Sequence, residues 1–166
     1  MKTILLASIL FICQFQNYSY SQSLTIVDFE RILKLDLSET NSDLNKFGLS
    51  FNNSLEKDSN GCQIITWGRD KCKSTDCLFF INKKFCTDGL YTIIGKCYNA
   101  SYYYSIKLQL EKNGYKFMDA FTEKNSLFTY YINNEKKRLI SLTEERIEGI
   151  DGDSDKTLYS ITISGK

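Results

Sequence analysis

The chain has 166 residues, with 21 Lys and Arg against 20 Asp and Glu for a net charge of +1, and it contains neither histidine nor proline. A near-neutral chain without a basic run carries no electrostatic footprint for nucleic acid. Without histidine, Ser–His and Cys–His nucleophilic catalysis are excluded, and so is a zinc site built on imidazole.

The first residues read as an address. Met1-Lys2 is a short positive start, Ile4 to Phe15 is an apolar run too short to span a membrane comfortably, and Ser19-Tyr20-Ser21 offers small residues for a signal peptidase. Residues 1–21 are therefore expected to be a cleaved secretory signal, with the exported chain, periplasmic or secreted, starting at Gln22. Acylation of Cys13 is the weaker reading, because Ile12 stands where a small residue is needed. Removing Lys2 leaves 20 basic residues against 20 acidic ones, and no transmembrane segment is expected after cleavage.

Thr25 with Asp28 three residues on predicts a capped helix whose apolar face is Ile26, Phe29, Ile32 and Leu33. Thr40-Asn41-Ser42-Asp43 predicts a second cap, opening a short helix that carries Leu44 and Phe47 and stops at Gly48. Strands are expected at 49–53, 62–67, 77–85 and 90–97. Asn60-Gly61 and Thr87-Asp88-Gly89 mark turns, and the 68–76 segment is a charged loop. The third and fourth strands are apolar on both faces, which predicts two-sided burial.

The second half follows a similar plan. Asn99 or Ser101 caps a helix running to Asn113, with Tyr102, Tyr103, Ile106 and Leu110 inward and Tyr104 and Leu108 to the side. Strands are expected at 115–120, 127–132, 137–143 and 157–164, with an acidic loop from Glu144 to Asp155. In the last strand Tyr159, Ile161 and Ile163 alternate with Leu158, Ser160 and Thr162, so one face should meet water.

Two stretches echo one another. Leu44 to Phe51 and Leu110 to Phe117 both read Leu-x-Lys-x-Gly-(Leu/Tyr)-(Ser/Lys)-Phe: a helix end, a glycine stop and a departing strand. Leu90 to Lys96 is echoed by Leu158 to Lys166 at nearly the same offset. The expected fold class is α+β, a tandem duplication of a helix plus about four antiparallel strands, with helices packed on one face of the sheet or sheets. The first half would be residues 22–98 and the second 99–166, together one compact unit. This element order resembles, at the level of fold, the beta-lactamase inhibitor proteins, which have tandem halves of a helical segment and a four-stranded antiparallel sheet. The resemblance rests on element order and transfers no site residue.

Export makes the cysteines disulfide candidates: Cys62, Cys72, Cys77, Cys86 and Cys97. Five is an odd number, so one is free or pairs with another chain. Cys72 and Cys77 bracket a polar loop that a bond between them would close. Asp151, Asp153 and Asp155 begin like a calcium loop, but Lys156 and Thr162 stand where that motif needs glycine and a bidentate acid. No metal site, phosphate loop or dinucleotide fingerprint is present, so no cofactor is expected. Glu144, Glu145 and Glu148 are carboxylates available for a glycosidase-type hydrolase. The surplus tyrosines Tyr98, Tyr102, Tyr103, Tyr104, Tyr130 and Tyr131 are candidate binding residues, since exposed aromatics mark recognition surfaces. The functional expectation is a small exported, non-catalytic binding protein (an inhibitor or envelope recognition module) with a protein or glycan partner outside the cytoplasm. The alternatives are a carboxylate hydrolase or a disulfide-linked structural subunit.

Overall fold

A computed structural model describes residues 23–68, 80–87, 89–148 and 156–165. The signal segment with its cleavage site, Cys13, Cys72, Cys77, Asp88 and the 151–155 acidic run lie outside the described residues.

Helix α1 is Ile26–Lys34 and opens with the expected reciprocal cap between Thr25 and Asp28. Its buried residues are Ile26, Phe29, Ile32 and Leu33, as the spacing requires. Helix α2 is Leu37–Lys46 and begins earlier than expected, because Asp36 and Glu39 form a capping box of their own. Thr40 is therefore not a cap. It sits inside the helix, fully buried, where its hydroxyl meets Lys83. Helix α3 is Ala100–Lys112, capped by Asn99.

Both α2 and α3 close in the same way. Gly48 and Gly114 adopt φ of 72° and 80°, a left-handed conformation that costs glycine little. The next amide then turns back: Leu49 N–H donates to the Leu44 carbonyl at 3.1 Å and Tyr115 N–H to that of Leu110 at 3.0 Å.

The strands form one antiparallel sheet of eight. They are β1 (Ser50–Ser54), β2 (Gln63–Gly68), β3 (Phe80–Phe85), β4 (Tyr91–Cys97), β5 (Lys116–Glu123), β6 (Ser126–Asn133), β7 (Arg138–Ile147) and β8 (Lys156–Gly165). Their order is β1-β2-β3-β4-β8-β7-β6-β5, two meanders meeting at their last strands. The two edge strands carry matching irregularities, a register shift at Phe51/Asn53 in β1 and at Phe117/Asp119 in β5. The β4 and β8 segments of the second sequence echo are hydrogen-bonded neighbours.

Registration decides which side chains share a face. One row runs Trp67, Ile81, Gly95, Ile161, Leu142 and Thr129; the next runs Ile65, Lys83, Ile93, Ile163, Ile140 and Tyr131. The helices lie on this face. Helix α1 packs across β4 and β8, α2 on β1, and α3 on β8, and together they enclose a single core that includes Trp67, Phe29, Leu44, Tyr103, Ile106 and Leu110. Glu30 of α1 reaches the second half, accepting from Tyr115 Oη at 2.5 Å and Lys136 Nζ at 2.9 Å. Cys62 and Cys86 are disulfide-bonded beside the Gln63–Phe85 pair, tying β2 to β3.

Two further expectations change. Strands β3 and β4 are not buried on both sides: Ile81, Lys83, Ile93, Gly95 and Cys97 are buried, whereas Asn82, Lys84, Thr92, Ile94 and Lys96 on the opposite face are half-exposed, since no described element packs there. Glu144 and Glu145 are not in a loop, because β7 continues to Ile147 and pairs there with β8.

Lys83 is fully buried on the helix face. Its Nζ donates to the Ile32 carbonyl at 2.7 Å, to the Leu35 carbonyl and to Thr40 Oγ1 at 3.1 Å, and lies 4.7 Å from the Phe85 ring centroid. It thus adds a second donor to the Ile32 carbonyl, which already accepts the Leu35 N–H at 3.2 Å, and supplies one to the Leu35 carbonyl past the end of α1. Burial lowers its pKa to about 8, against the opposing pull of Asp36 and Glu39. A neutral amine keeps the geometry by donating to the two carbonyls and accepting from the threonine hydroxyl. Lys83→Met should lower the unfolding free energy in urea by about 1–3 kcal/mol at pH 7, through the lost hydrogen bonds to the Leu35 carbonyl and the Thr40 hydroxyl. The pH dependence has a definite sign. Between about 8 and the ordinary value of 10.5 the unfolded chain binds more protons at this site than the folded one, so stability rises with pH. The gap between wild type and Lys83→Met should therefore widen from pH 7 to pH values inside that window. A flat gap would mean an unshifted amine.

Candidate functional site

The sheet face opposite the helices carries no described element. Across it run Thr66, Asn82, Ile94, Thr162, Ser141 and Tyr130, then Gly68, Phe80, Lys96, Ser160, Thr143, Phe128 and Phe121. An aromatic stack occupies the β5–β6 end, with Phe121 5.2 Å from Phe128 and 5.8 Å from Tyr130 between centroids. Exposed Met118 falls at the β5 irregularity. Toward the middle the face is polar. Thr66 donates to Asn82 at 2.9 Å, and the Thr92 and Ser164 hydroxyls are 3.2 Å apart.

The tyrosines singled out by sequence do not form one surface. Tyr130 is on the bare face, while Tyr131, its neighbour, points into the core on the other side, as strand alternation demands. Tyr98 is half-buried in the turn before α3. Tyr102 donates to the Leu24 carbonyl at 2.9 Å, and Tyr103 is fully buried. Of the three consecutive helical tyrosines, Tyr104 is the one that points outward, at 44% exposure.

Tyr103 and Tyr104 meet a partner that sequence reasoning did not connect to them. Tyr159 of β8 lies 4.7 Å from Tyr103 and 6.2 Å from Tyr104, and the two helical rings are 5.3 Å apart. Glu144 pairs with Tyr159 across the β7–β8 ladder and accepts from Tyr104 Oη at 3.3 Å. The Tyr103 hydroxyl is buried and meets the Glu144 carboxylate only in a marginal hydrogen bond. Burial, followed by the charge of Glu144 and the hydrogen bond to it, raises its pKa. The available signal was the alternation of β8, which sets Tyr159 on the helix side, once β7 is extended to include Glu144.

Adjacent residues of a strand face opposite ways, so Glu144 and Glu145 cannot serve one reaction centre together. Cys97 is buried and unbonded, its Sγ 3.7 Å from the Asn99 carbonyl oxygen, and burial pushes its thiol pKa up. It is therefore poorly placed to bridge two chains. A groove of about 340 Å³ between α1 and α2 is lined by Arg31, Leu35, Ser38, Glu39, Ser42, Asp43 and Lys46. Its charges satisfy each other: Arg31 pairs with Asp28 and Asp43, and Lys46 with Asp43 at 3.0 Å. Among the described residues no group of three or more acids and cysteines could hold a metal, and no helix is long and apolar enough to cross a membrane.

No family model, curated protein or solved structure matches the chain.

Because the Tyr103 hydroxyl is desolvated and its hydrogen bond to Glu144 is marginal, Tyr103→Phe should leave stability unchanged to within about 1 kcal/mol in urea titrations. A larger loss would reveal a well-formed hydrogen bond.

Proposed function

We propose that the chain is a small exported, non-catalytic binding protein, periplasmic or secreted, that recognises a protein or glycan partner outside the cytoplasm through the bare face of its sheet. The observation that carries this reading is the asymmetry of the sheet: helices cover one face, and no described element lies on the other. An antiparallel sheet tolerates water on one face without any function. This face is unusual in its chemistry, because stacked Phe121, Phe128 and Tyr130 adjoin a field of threonine, serine and asparagine. Rigid aromatic anchors beside adaptable hydroxyl and amide groups are the composition of protein recognition surfaces. The Cys62–Cys86 bond agrees with an oxidising compartment.

The surface reads further as a duplicated one. The matching glycine closures of α2 and α3, and the matching irregularities of β1 and β5, fall at equivalent points of the echoed stretches. A tandem duplication explains both, with α1 an element that the second half lacks.

The oxidised chain from Gln22 to Lys166, immobilised and exposed to envelope and secreted fractions, should retain a specific partner in a salt-resistant manner. Phe121→Ala and Tyr130→Ala should each weaken retention at least tenfold, the scale of an aromatic anchor. Leu108→Ala, on the outward side of α3, should not. Equal retention by all three variants would overturn the reading of the bare face.

A further inference from the structure

We propose that Asn60-Gly61 is a site of spontaneous covalent modification, where the asparagine closes to a succinimide and hydrolyses to aspartate and isoaspartate. The fold protects the second Asn-Gly pair of the chain, Asn113-Gly114, from the same reaction. The reactive turn joins β1 to β2, at the opposite end of the sheet from the aromatic stack.

The reaction needs no partner but water. The Gly61 backbone nitrogen attacks Cγ of the Asn60 side chain. A C–N bond forms, the Cγ–Nδ2 bond breaks, and ammonia leaves with the proton that Gly61 gives up. Water then opens the ring, at Cγ to give aspartate or at the main-chain carbonyl carbon to give isoaspartate. Nothing is oxidised or reduced. Glycine hinders the attack least of all residues, because it has no Cβ.

The sequence contains two Asn-Gly pairs, and the structure treats them differently. Asn60 ends a run that is exposed from Phe51 onward. Its side-chain amide forms no hydrogen bond among the described residues. The Gly61 N–H donates to the Asp58 carbonyl at 2.9 Å, and that bond must open before attack. The turn is held by Asp58, whose carboxylate accepts the Asn60 and Cys62 N–H groups, both at 2.9 Å, and whose own N–H donates to the Cys62 carbonyl at 2.8 Å. An exposed turn secured by such short-range bonds opens at little cost.

Asn113 is fixed at each atom the reaction would use. Its Nδ2 donates to the Gln109 carbonyl at 2.8 Å, and the Gly114 N–H donates to the Glu111 carbonyl at 3.1 Å. Asn133 donates to the Asn113 carbonyl at 3.2 Å. The following residue, Tyr115, is buried, and its N–H closes α3 on Leu110. Bringing Cγ onto the Gly114 nitrogen would undo the helix end and disturb the core with it.

The modification at Asn60 stays local. It adds a carboxylate two residues from Asp58, which already lies 3.6 Å from Lys84 Nζ. Isoaspartate also lengthens the main chain by one methylene, which disrupts the paired bonds between Asp58 and Cys62. Beyond that point the Cys62–Cys86 bond and the Gln63–Phe85 pair hold β2 on β3, so the sheet survives the change.

The test is to incubate the purified, oxidised protein at neutral pH and to follow ammonia release and the masses and isoaspartate content of its peptides. Asn60 should convert to a mixture of isoaspartate and aspartate, faster at mildly alkaline pH because the attacking nitrogen must lose its proton. Asn113 should convert at least tenfold more slowly in the folded protein. In urea with the disulfide reduced, both sites should convert at similar rates, which assigns the difference to the fold. Asn60→Gln should abolish the early ammonia release and leave the unfolding midpoint unchanged, since the side chain it replaces holds nothing. Equal conversion of both sites in the folded protein would overturn the proposal. So would ammonia release that survives in Asn60→Gln, or an Asn60 that reacts in urea and is inert when folded.

Discussion

The structure depends on the pairing of β4 with β8. Seven registered residue pairs, from Tyr91 with Gly165 to Cys97 with Tyr159, join the two meanders. Without that ladder each meander would end in an open edge, and each would be a four-stranded sheet with a marginal core. With it, Ile93 lies opposite Ile163 and Gly95 opposite Ile161, so the buried rows of both halves become continuous. Helix α1 then lies over the joint, against β4 and β8. Glu30 extends the connection by holding Tyr115 and Lys136 of the second half.

No described element covers the two sheet edges or the face opposite the helices, and the edges are guarded. β5 is exposed along its whole length, yet it carries the register shift at Phe117/Asp119, and Asp119 accepts the Ala120 amide at 2.8 Å. Lys116 and Glu123 stand at its two ends. Irregularities and charges of this sort discourage strand addition. Strand β1 is short and has its own register shift. The face is thus the more available feature for a partner, and its aromatic stack lies at the guarded β5 end.

The buried polar groups divide by their degree of satisfaction. Lys83 finds two carbonyls and a hydroxyl, Asp43 finds two cations, and Asn133 donates to the Asn113 carbonyl at 3.2 Å. These contacts hold helices to strands, and removing one partner leaves the other desolvated. Tyr103 differs. Its ring packs in the core as well as any, but its hydroxyl meets only the Glu144 carboxylate, in a marginal hydrogen bond. A phenylalanine would fill the same space at little cost.

Much of the architecture was legible in the residues. The Thr25–Asp28 box, the glycine stops at Gly48 and Gly114, the alternation of β8 and the turn at Asn60-Gly61 act through neighbours in the chain, so local chemistry specified them. The α+β class followed from their order. The start of α2 was misread because Asp36 and Thr40 are both capping residues, and only the contact of Thr40 with Lys83, far along the chain, uses up the threonine hydroxyl. The joining of β4 to β8, the burial of Lys83, the choice of Tyr131 over Tyr130 for the covered face, and the meeting of Tyr103 with Glu144 depend on strand order and register. Local sequence determined the elements and their apolar faces. Long-range pairing decided which faces were covered and which polar groups were brought together, because those contacts form between residues that share no local signal.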